Sequence, residues 1–487
     1  MSTLKETSEA GRPGEKPFPS VAASSTVKDG RPNATLYITM IAAVAALGGL
    51  LFGFDTGIIA GAMLFIVPDF HLGPAEQGLV VSAVTFGALF GALVGGTFSD
   101  TIGRRPTNII AGISFIGGSV LSAIAPDVDV LIASRVIIGL AIGLTSVAAP
   151  MYIAELAPPR HRGRLVSLFQ LAVTTGILVS YIVDRALAPE HAWRWMLGLA
   201  FIPGALLVLG MLPLPESPRW LLKRSGEEAA RRVLSMLRPS DEIENDVREI
   251  REDLEHNQPT GWSELLLPGL RPALLVGIGL AVFQQVTGIN TIIYYAPQIF
   301  QTAGLDNATT ALAATIGIGV LNVLSTLIAI WLVDRVGRKP LLLAGLLGMT
   351  LSLGALGVAQ RFGSTLGVNP HSLAPITVGF IGLYIVCFAF SLGPVVWLMI
   401  SEIFPNRARA RASAISTSAN WMANFLVSLS FPPLQEMMGP SLWFLYAAMG
   451  VAAFIFVAGY VPETKGKSLE EISRQWRTEP AVIVAHS

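Results

Sequence analysis

Twelve long stretches, nearly free of charge, recur along this chain, and nothing limits its possible folds more. A hydrocarbon layer of about 30 Å is crossed by about 20 apolar residues in helix, the form in which one segment satisfies its own backbone polar groups. The stretches cover 36–66, 77–99, 107–126, 130–153, 165–187, 194–213, 272–301, 309–333, 340–360, 374–402, 411–435 and 440–461. Charged residues make up 14% of the chain, against about 25% in soluble domains. The expected fold is all-α, a polytopic membrane protein of twelve transmembrane helices in two six-helix halves. Runs this long and continuous exclude a barrel of alternating strands. Lys plus Arg equals Asp plus Glu at 33 each, so no basic excess calls for nucleic acid. The single cysteine, Cys387, excludes a disulfide scaffold. The sequence carries no phosphate-binding Gly-rich loop, no metal-ligand cluster and no nucleophile–base constellation, so the expectation is neither an enzyme nor a cofactor protein.

Loops are short except for a charged linker. The expected organisation is a polar tail over 1–33, disordered and not a cleavable signal peptide, then a six-helix half over 34–214. A helical linker follows over 215–270, with short surface helices at Gly226–Leu237 and Asp241–His256. A second half over 271–462 and a tail over 463–487 complete the chain. Of the 33 Lys and Arg, three (Arg185, Arg194, Arg361) fall in loops on one side, and Arg135 falls inside a span. The rest lie in the tails, the linker and the loops of the opposite side. The excess of basic residues marks the cytoplasmic side, so both termini are expected there, in a cell membrane of the plasma or inner type.

The junctions repeat. Asp100-Thr-Ile-Gly103-Arg104-Arg105-Pro106 follows the second span, and Asp334-Arg-Val-Gly337-Arg338-Lys339-Pro340 follows the eighth. Glu155 precedes Arg162 as Glu402 precedes Arg409, and Pro215-Glu216-Ser217 matches Pro462-Glu463-Thr464. A duplicated six-span unit suits a carrier whose halves rock about a site between them. These motifs, with Arg219-Trp220, Gln284-Gln285-Val-Thr-Gly-Ile-Asn290 and Pro462-Glu463-Thr464-Lys465-Gly466, resemble the sugar porter family of the major facilitator superfamily. The resemblance runs from about Leu36 to Ser473.

Asp55 is the carboxylate read as lying well inside a span, and Arg135 is the basic residue comparably placed. At about 1.5 Å per residue both fall in the outer half and can meet. Burial favours the neutral acid and a guanidinium favours the carboxylate, so a changing separation would load and release a proton. A fixed structural ion pair is the alternative. The resemblance favours coupling, since proton symporters of the family carry Asp here and facilitators often carry Asn.

Gln284, Gln285, Asn322 and Asn420 fall at mid-depth, with Gln170 inside the fifth span. A carboxamide both donates and accepts, as sugar hydroxyls require, without the cost of a buried charge. Thr287-Gly288 is expected to loosen its helix so that Asn290 and Tyr294 turn inward, and Trp397 and Trp421 offer stacking faces. The resemblance implies that Gln170, Gln284, Gln285, Asn290, Asn322, Trp397 and Asn420 contact sugar. Glue between helices is the alternative for any one amide. Arg104, Arg105, Glu155, Arg162, Asp334, Arg338, Glu402 and Arg409 are expected to bridge helix ends as a gate on the cytoplasmic side. The second copy differs at Ile330 and Lys339, which replace Gly96 and Arg105. Asn307-Ala308-Thr309 fits a glycosylation acceptor by composition alone.

The expected function is a proton-coupled symporter importing a monosaccharide, a hexose such as glucose, by alternating access. Its partners are the sugar, a proton and the lipid bilayer, and one chain holds the whole path. A passive facilitator is the first rival and a sugar sensor the second.

Overall fold

The computed structural model describes residues 34–158, 161–256, 265, 270–367 and 369–466. The tail over 1–33 and nearly all of the final tail lie outside them. Among the described residues the regular structure is entirely helical. The first six spans are α1 (Ala34–Phe70), α2 (Pro74–Ile102), α3 (Arg104–Ala123), α4 (Val128–Leu156), α5 (Arg162–Leu187) and the broken pair α6 (Trp193–Gly198) and α7 (Phe201–Met211). The linker contributes α8 (Pro218–Arg224), α9 (Glu227–Leu237) and α10 (Ile243–His256). The second six are α11 (Arg271–Val286) with α12 (Ile289–Thr302), α13 (Ala308–Val336), α14 (Arg338–Phe362), α15 (Pro370–Phe390) with α16 (Leu392–Glu402), α17 (Asn406–Met438) and α18 (Leu442–Tyr460).

Among the described residues eleven stretches are long and apolar enough to cross a membrane. One of them, Arg411–Tyr460, is 50 residues long and turns at Gly439, whose φ of +54° ends α17. It is therefore two spans, and the total is twelve. Large apolar side chains such as Leu93, Ile113, Leu209, Leu275, Ile328 and Ile455 point outward and exposed. In water such a belt would drive aggregation, whereas in a bilayer it faces lipid. The side on which α1 begins is called the near face below.

Lipid tails are as apolar as leucine, so helices in a bilayer associate through close packing rather than by hiding oil from water. Small residues provide it. Gly49, Gly53, Gly57 and Gly61 repeat every fourth residue on α1 and lie against Phe169, Val173, Ser180 and Asp184 of α5. A Cβ at Gly53 would collide with the carbonyl oxygen of Val173, and one at Gly61 with the Asp184 carboxyl. Gly87 and Gly91 of α2 meet Gly139 and Gly143 of α4 in the same way. Between the halves, α2 packs on α17 and α5 on α13, while α1 reaches α12.

The linker helices start at Glu227 and Ile243, close to the expected bounds, and α8 adds a turn that the charge pattern concealed. Ser217 caps α8 by accepting the Trp220 N–H at 3.3 Å. The Trp220 indole donates to Asp100 O at 3.2 Å. Arg238, clamped to Asp246 at 2.9 Å, donates to Leu156 O at 3.2 Å. These bonds dock the linker on the near face of the first half.

Gly53→Val and Gly143→Val should each lower the melting temperature sharply or abolish folded yield, since backbone must move to admit them. Gly96→Val, which meets nothing within 4 Å, should leave both unchanged. Thermal unfolding of detergent-solubilised protein checks the contrast.

Candidate functional site

Two polar clusters occupy the interior. In the first, Arg135 on α4 reaches Asp55 on α1 with Nη1 to Oδ1 and Nη2 to Oδ2, both 3.4 Å. Asp55 is 2% exposed and Arg135 is fully buried. The remaining guanidinium edge donates from Nε to Val80 O on α2 at 2.7 Å. A buried guanidinium needs its donors filled, and here groups on α1 and α2 take one from each of its three nitrogens. The sequence expectation that these two side chains meet holds geometrically.

The second cluster is a knot of amides on α11, α12 and α17. Gln284 donates to Leu392 O at 2.8 Å. Its Oε1 accepts from Asn420 Nδ2 at 2.7 Å and from Gln285 Nε2 at 3.3 Å. Gln285 also donates to Asn420 Oδ1 at 3.2 Å and accepts from Asn290 Nδ2 at 2.7 Å. The seventh span breaks where Thr287-Gly288 was expected to loosen it. Gly288 takes φ +95°, which favours glycine, and the Tyr384 hydroxyl donates to the freed Thr287 carbonyl at 3.0 Å. The break turns Asn290 back onto Gln285.

Tyr294, one turn beyond Asn290, joins the clusters. Its buried hydroxyl interacts with Asn424 on α17 and Thr56 on α1, and lies in the electrostatic range of Asp55 and Arg135. Trp421 is buried on α17, its ring 5.3 Å from that of Phe52 on α1. Its indole nitrogen has no hydrogen-bond partner among the described residues. A stacking face with an open donor beside an amide knot is chemistry suited to a ligand of many hydroxyls.

Other expected contacts are not part of this knot. Asn322 is buried on α13, and among the described residues its amide makes no hydrogen bond. Gln170 is half-buried on α5, and Trp397 on α16 is 37% exposed. Sequence reasoning missed Asn424 and Thr56, although Asn424 stands four residues after Asn420 on one helix face and Thr56 adjoins Asp55. It also missed the break at Ser391, signalled by Leu392-Gly393-Pro394, which presents the Leu392 carbonyl to Gln284.

Asp55 is not the only carboxylate held inside. Asp184 on α5 is fully buried as well, with Oδ2 accepting the Gly61 N–H at 3.1 Å. Its place near the end of its span concealed it, and the signal was the Gly176, Ser180, Asp184 spacing opposite the α1 glycines.

At the near face the repeated motifs build the same bracket twice. Arg104 pairs with Glu155 at 2.9 Å and with Asp100 at 2.9 Å. Arg338 pairs with Glu402 at 2.9 Å. Ser217 donates to Glu155, and Thr464 donates to Glu402 at 2.6 Å. Glu216 accepts the backbone N–H groups of Arg104 and Arg105, and Glu463 those of Arg338 and Lys339, at the N-termini of α3 and α14. Gly103 and Gly337, at φ +106° and +107°, let the carboxylates approach. Arg105 donates to the Met211 and Leu212 carbonyls, and Lys339 to Ala458 O, at the ends of the sixth and twelfth spans.

These ion pairs each lie within one half. They join helix ends within each half, α3 to α4 and α14 to α16. Arg162 is exposed and makes no ion pair among the described residues. Arg409 donates to Phe404 O at 3.2 Å. The Asp334 side chain lies outside the described residues. Asn307, the acceptor of the glycosylation triplet, caps α13 by accepting the Thr309 N–H at 2.9 Å. On the far side a bond does cross, from the Tyr181 hydroxyl on α5 to Ile293 O on α12 at 2.9 Å.

Two pseudo-symmetric six-helix halves with a polar interior define a transporter of the major facilitator fold. Residues 41–476 match the family described as "Sugar (and other) transporter", and the chain belongs to that family. It is a multi-pass membrane transporter, not an enzyme. It is 42% identical to the galactose-proton symporter of Escherichia coli K12, covering 92% of this chain and 96% of the relative. The identity with the glucose transporter GlcP of Staphylococcus epidermidis is also 42%, over 90% and 97%. The xylose transporter XylE of E. coli in its inward-open conformation superposes with a TM-score of 0.78 at 35% identity, covering 90% of this chain and all of that one.

The twin brackets make opposite pH predictions. Burial pushes the Glu216 carboxyl up despite its backbone donors. Burial also opposes ionisation of the shallower Glu463, but bonds from the Lys465, Arg338 and Lys339 N–H groups outweigh it and hold that carboxyl down. The stabilisation from Glu463 is thus present above the ordinary 4.5 and lost as pH falls through its lower folded value. Glu216 instead favours the fold when protonated, a contribution lost as pH rises from 4.5 through its raised value. In thermal melts against pH, the advantage of wild type over Glu463→Gln should shrink on the acid side. That of wild type over Glu216→Gln should shrink as pH rises.

Proposed function

We propose that this protein is a proton-coupled symporter that imports a monosaccharide, a hexose such as glucose, by alternating access. The observation that carries the reading is Tyr294. It links the Asp55–Arg135 pair of one half to the helix that bears the amide knot of the other. Sugar hydroxyls take the amides of Gln284, Gln285, Asn290 and Asn420, with Trp421 as a stacking face and Asn322, Gln170 and Trp397 at the cavity wall. Protonation of Asp55 weakens its hold on Arg135, and through Thr56 and Tyr294 α12 registers the change. A proton and a sugar then favour the same movement, which is the linkage symport requires. The relatives named for galactose–proton and glucose transport support this substrate class.

The near face is the cytoplasmic face of a plasma or inner membrane, as the basic residues indicate. The brackets around Arg104 and Arg338 keep each half rigid while it rocks, and a single chain suffices. The Tyr181–Ile293 bond ties α5 to α12 on the far side, which supports reading this arrangement as closed to the outside.

Reconstituted into liposomes with an inward proton gradient, the protein should accumulate radiolabelled D-glucose uphill and alkalinise the medium as sugar is added. Asp55→Asn should abolish accumulation while leaving sugar exchange intact. Uptake that never exceeds equilibrium, with no proton movement, identifies a facilitator, and binding without transport identifies a sensor. Asn420→Ala should weaken glucose binding by about tenfold or more, since it strips two amide bonds from the knot, as read by calorimetric titration.

A further inference from the structure

Asp184 is used by nothing described so far. Its side chain is sealed between α5 and α1, with the Gly61 N–H on Oδ2 and no hydrogen-bond partner for Oδ1 among the described residues. Among the described residues no cation pairs with it. On its own helix Arg185 is exposed and Tyr181 stands one turn back, and in the turn that follows Glu190 and His191 are exposed, His191 stacked on Phe65. On α1 the ionisable side chains on either side of Gly61 are occupied, Asp55 by Arg135 and Asp69 by the Trp193 indole at 2.6 Å. On α4, Arg135 belongs to Asp55. On α6, Arg194 donates to Ala125 O at 2.6 Å and stacks on Trp193. The charges of α13, Asp334 and Arg335, lie at its opposite end, and α12 offers Tyr294 and Tyr295. A carboxylate with one backbone donor and no counter-ion is costly in such a place, while the neutral acid is not.

We propose that Asp184 is a second proton-binding group, separate from Asp55, whose proton exchanges only with the outside and only when the outer side opens. Tyr181 is the cover. Its side chain stands one turn before Asp184 on α5, and its hydroxyl is committed to Ile293 O across the two halves. When α12 leaves α5, that hydroxyl is released and outside water reaches the carboxyl. The proton passes from Asp184 to that water, leaving a hydrated carboxylate, and closing takes it back. It returns to the side it came from, so Asp184 adds no transported proton. It makes closure easier in an acidic medium, a property independent of which sugar is carried.

Infrared spectra of the full chain in lipid test this without transport. The wild-type minus Asp184→Asn difference should contain the carbonyl stretch of a neutral carboxylic acid, and that band should persist in Asp55→Asn. Transferred into heavy water, the band should shift slowly in wild type and about tenfold faster in Tyr181→Phe, which loses the covering bond. Ionised-carboxylate bands in the difference, or equal exchange rates with and without the tyrosine hydroxyl, would overturn the proposal. Should Asp184→Asn not fold, the same exchange comparison made in the Asp55→Asn background decides it.

Discussion

A bilayer gives no water to a stranded polar group, and every notable arrangement in this protein answers that constraint. It forces the chain into helices, requires glycine where the helices must approach, and leads the Asp55–Arg135 pair and the amides of the knot to find partners. Arg135 is satisfied by Asp55 and the Val80 carbonyl. The carbonyl freed at the α11–α12 break is taken by Tyr384. Polar groups that cannot leave for solvent become the parts that must rearrange when the halves move, so the same constraint that secures the fold places the functional groups.

The two halves use the duplicated sequence differently. At the near face the copies remain nearly equivalent, each with an Arg–Glu pair, a glycine in the left-handed region and a glutamate over a helix N-terminus. In the interior they have divided the work. The first half holds the ionisable groups Asp55, Arg135 and Asp184, and the second holds the amide knot and the helix broken at Gly288. A link between unlike clusters is what coupling needs, and Tyr294 and Tyr181 are two of the side chains that span the divide.

Much of this was legible beforehand. The spans followed from hydropathy, the break at Thr287-Gly288 from the glycine, and the meeting of Asp55 with Arg135 from depth counted along two helices. The amide set was only partly legible. Gln284, Gln285, Asn290 and Asn420 share one knot, but Asn322, Gln170 and Trp397 are at comparable depths without joining it, because depth fixes height in the membrane and not the direction a side chain faces. Asp184 was concealed for a related reason. Its place near the span end gives no sign of burial, whereas the glycine row of α1 draws α5 close enough to seal it.

The sequence by itself determined the number of spans, their duplication, the side on which charge collects and the chemical types available inside. These follow from transfer energies summed along the chain, which need no knowledge of neighbours. Only the tertiary structure decided which amides meet, that the described near-face ion pairs lie within each half rather than between the two, and that a second carboxylate is buried. Those outcomes depend on helix rotation and approach to within an ångström or so, set by residues far apart in the chain.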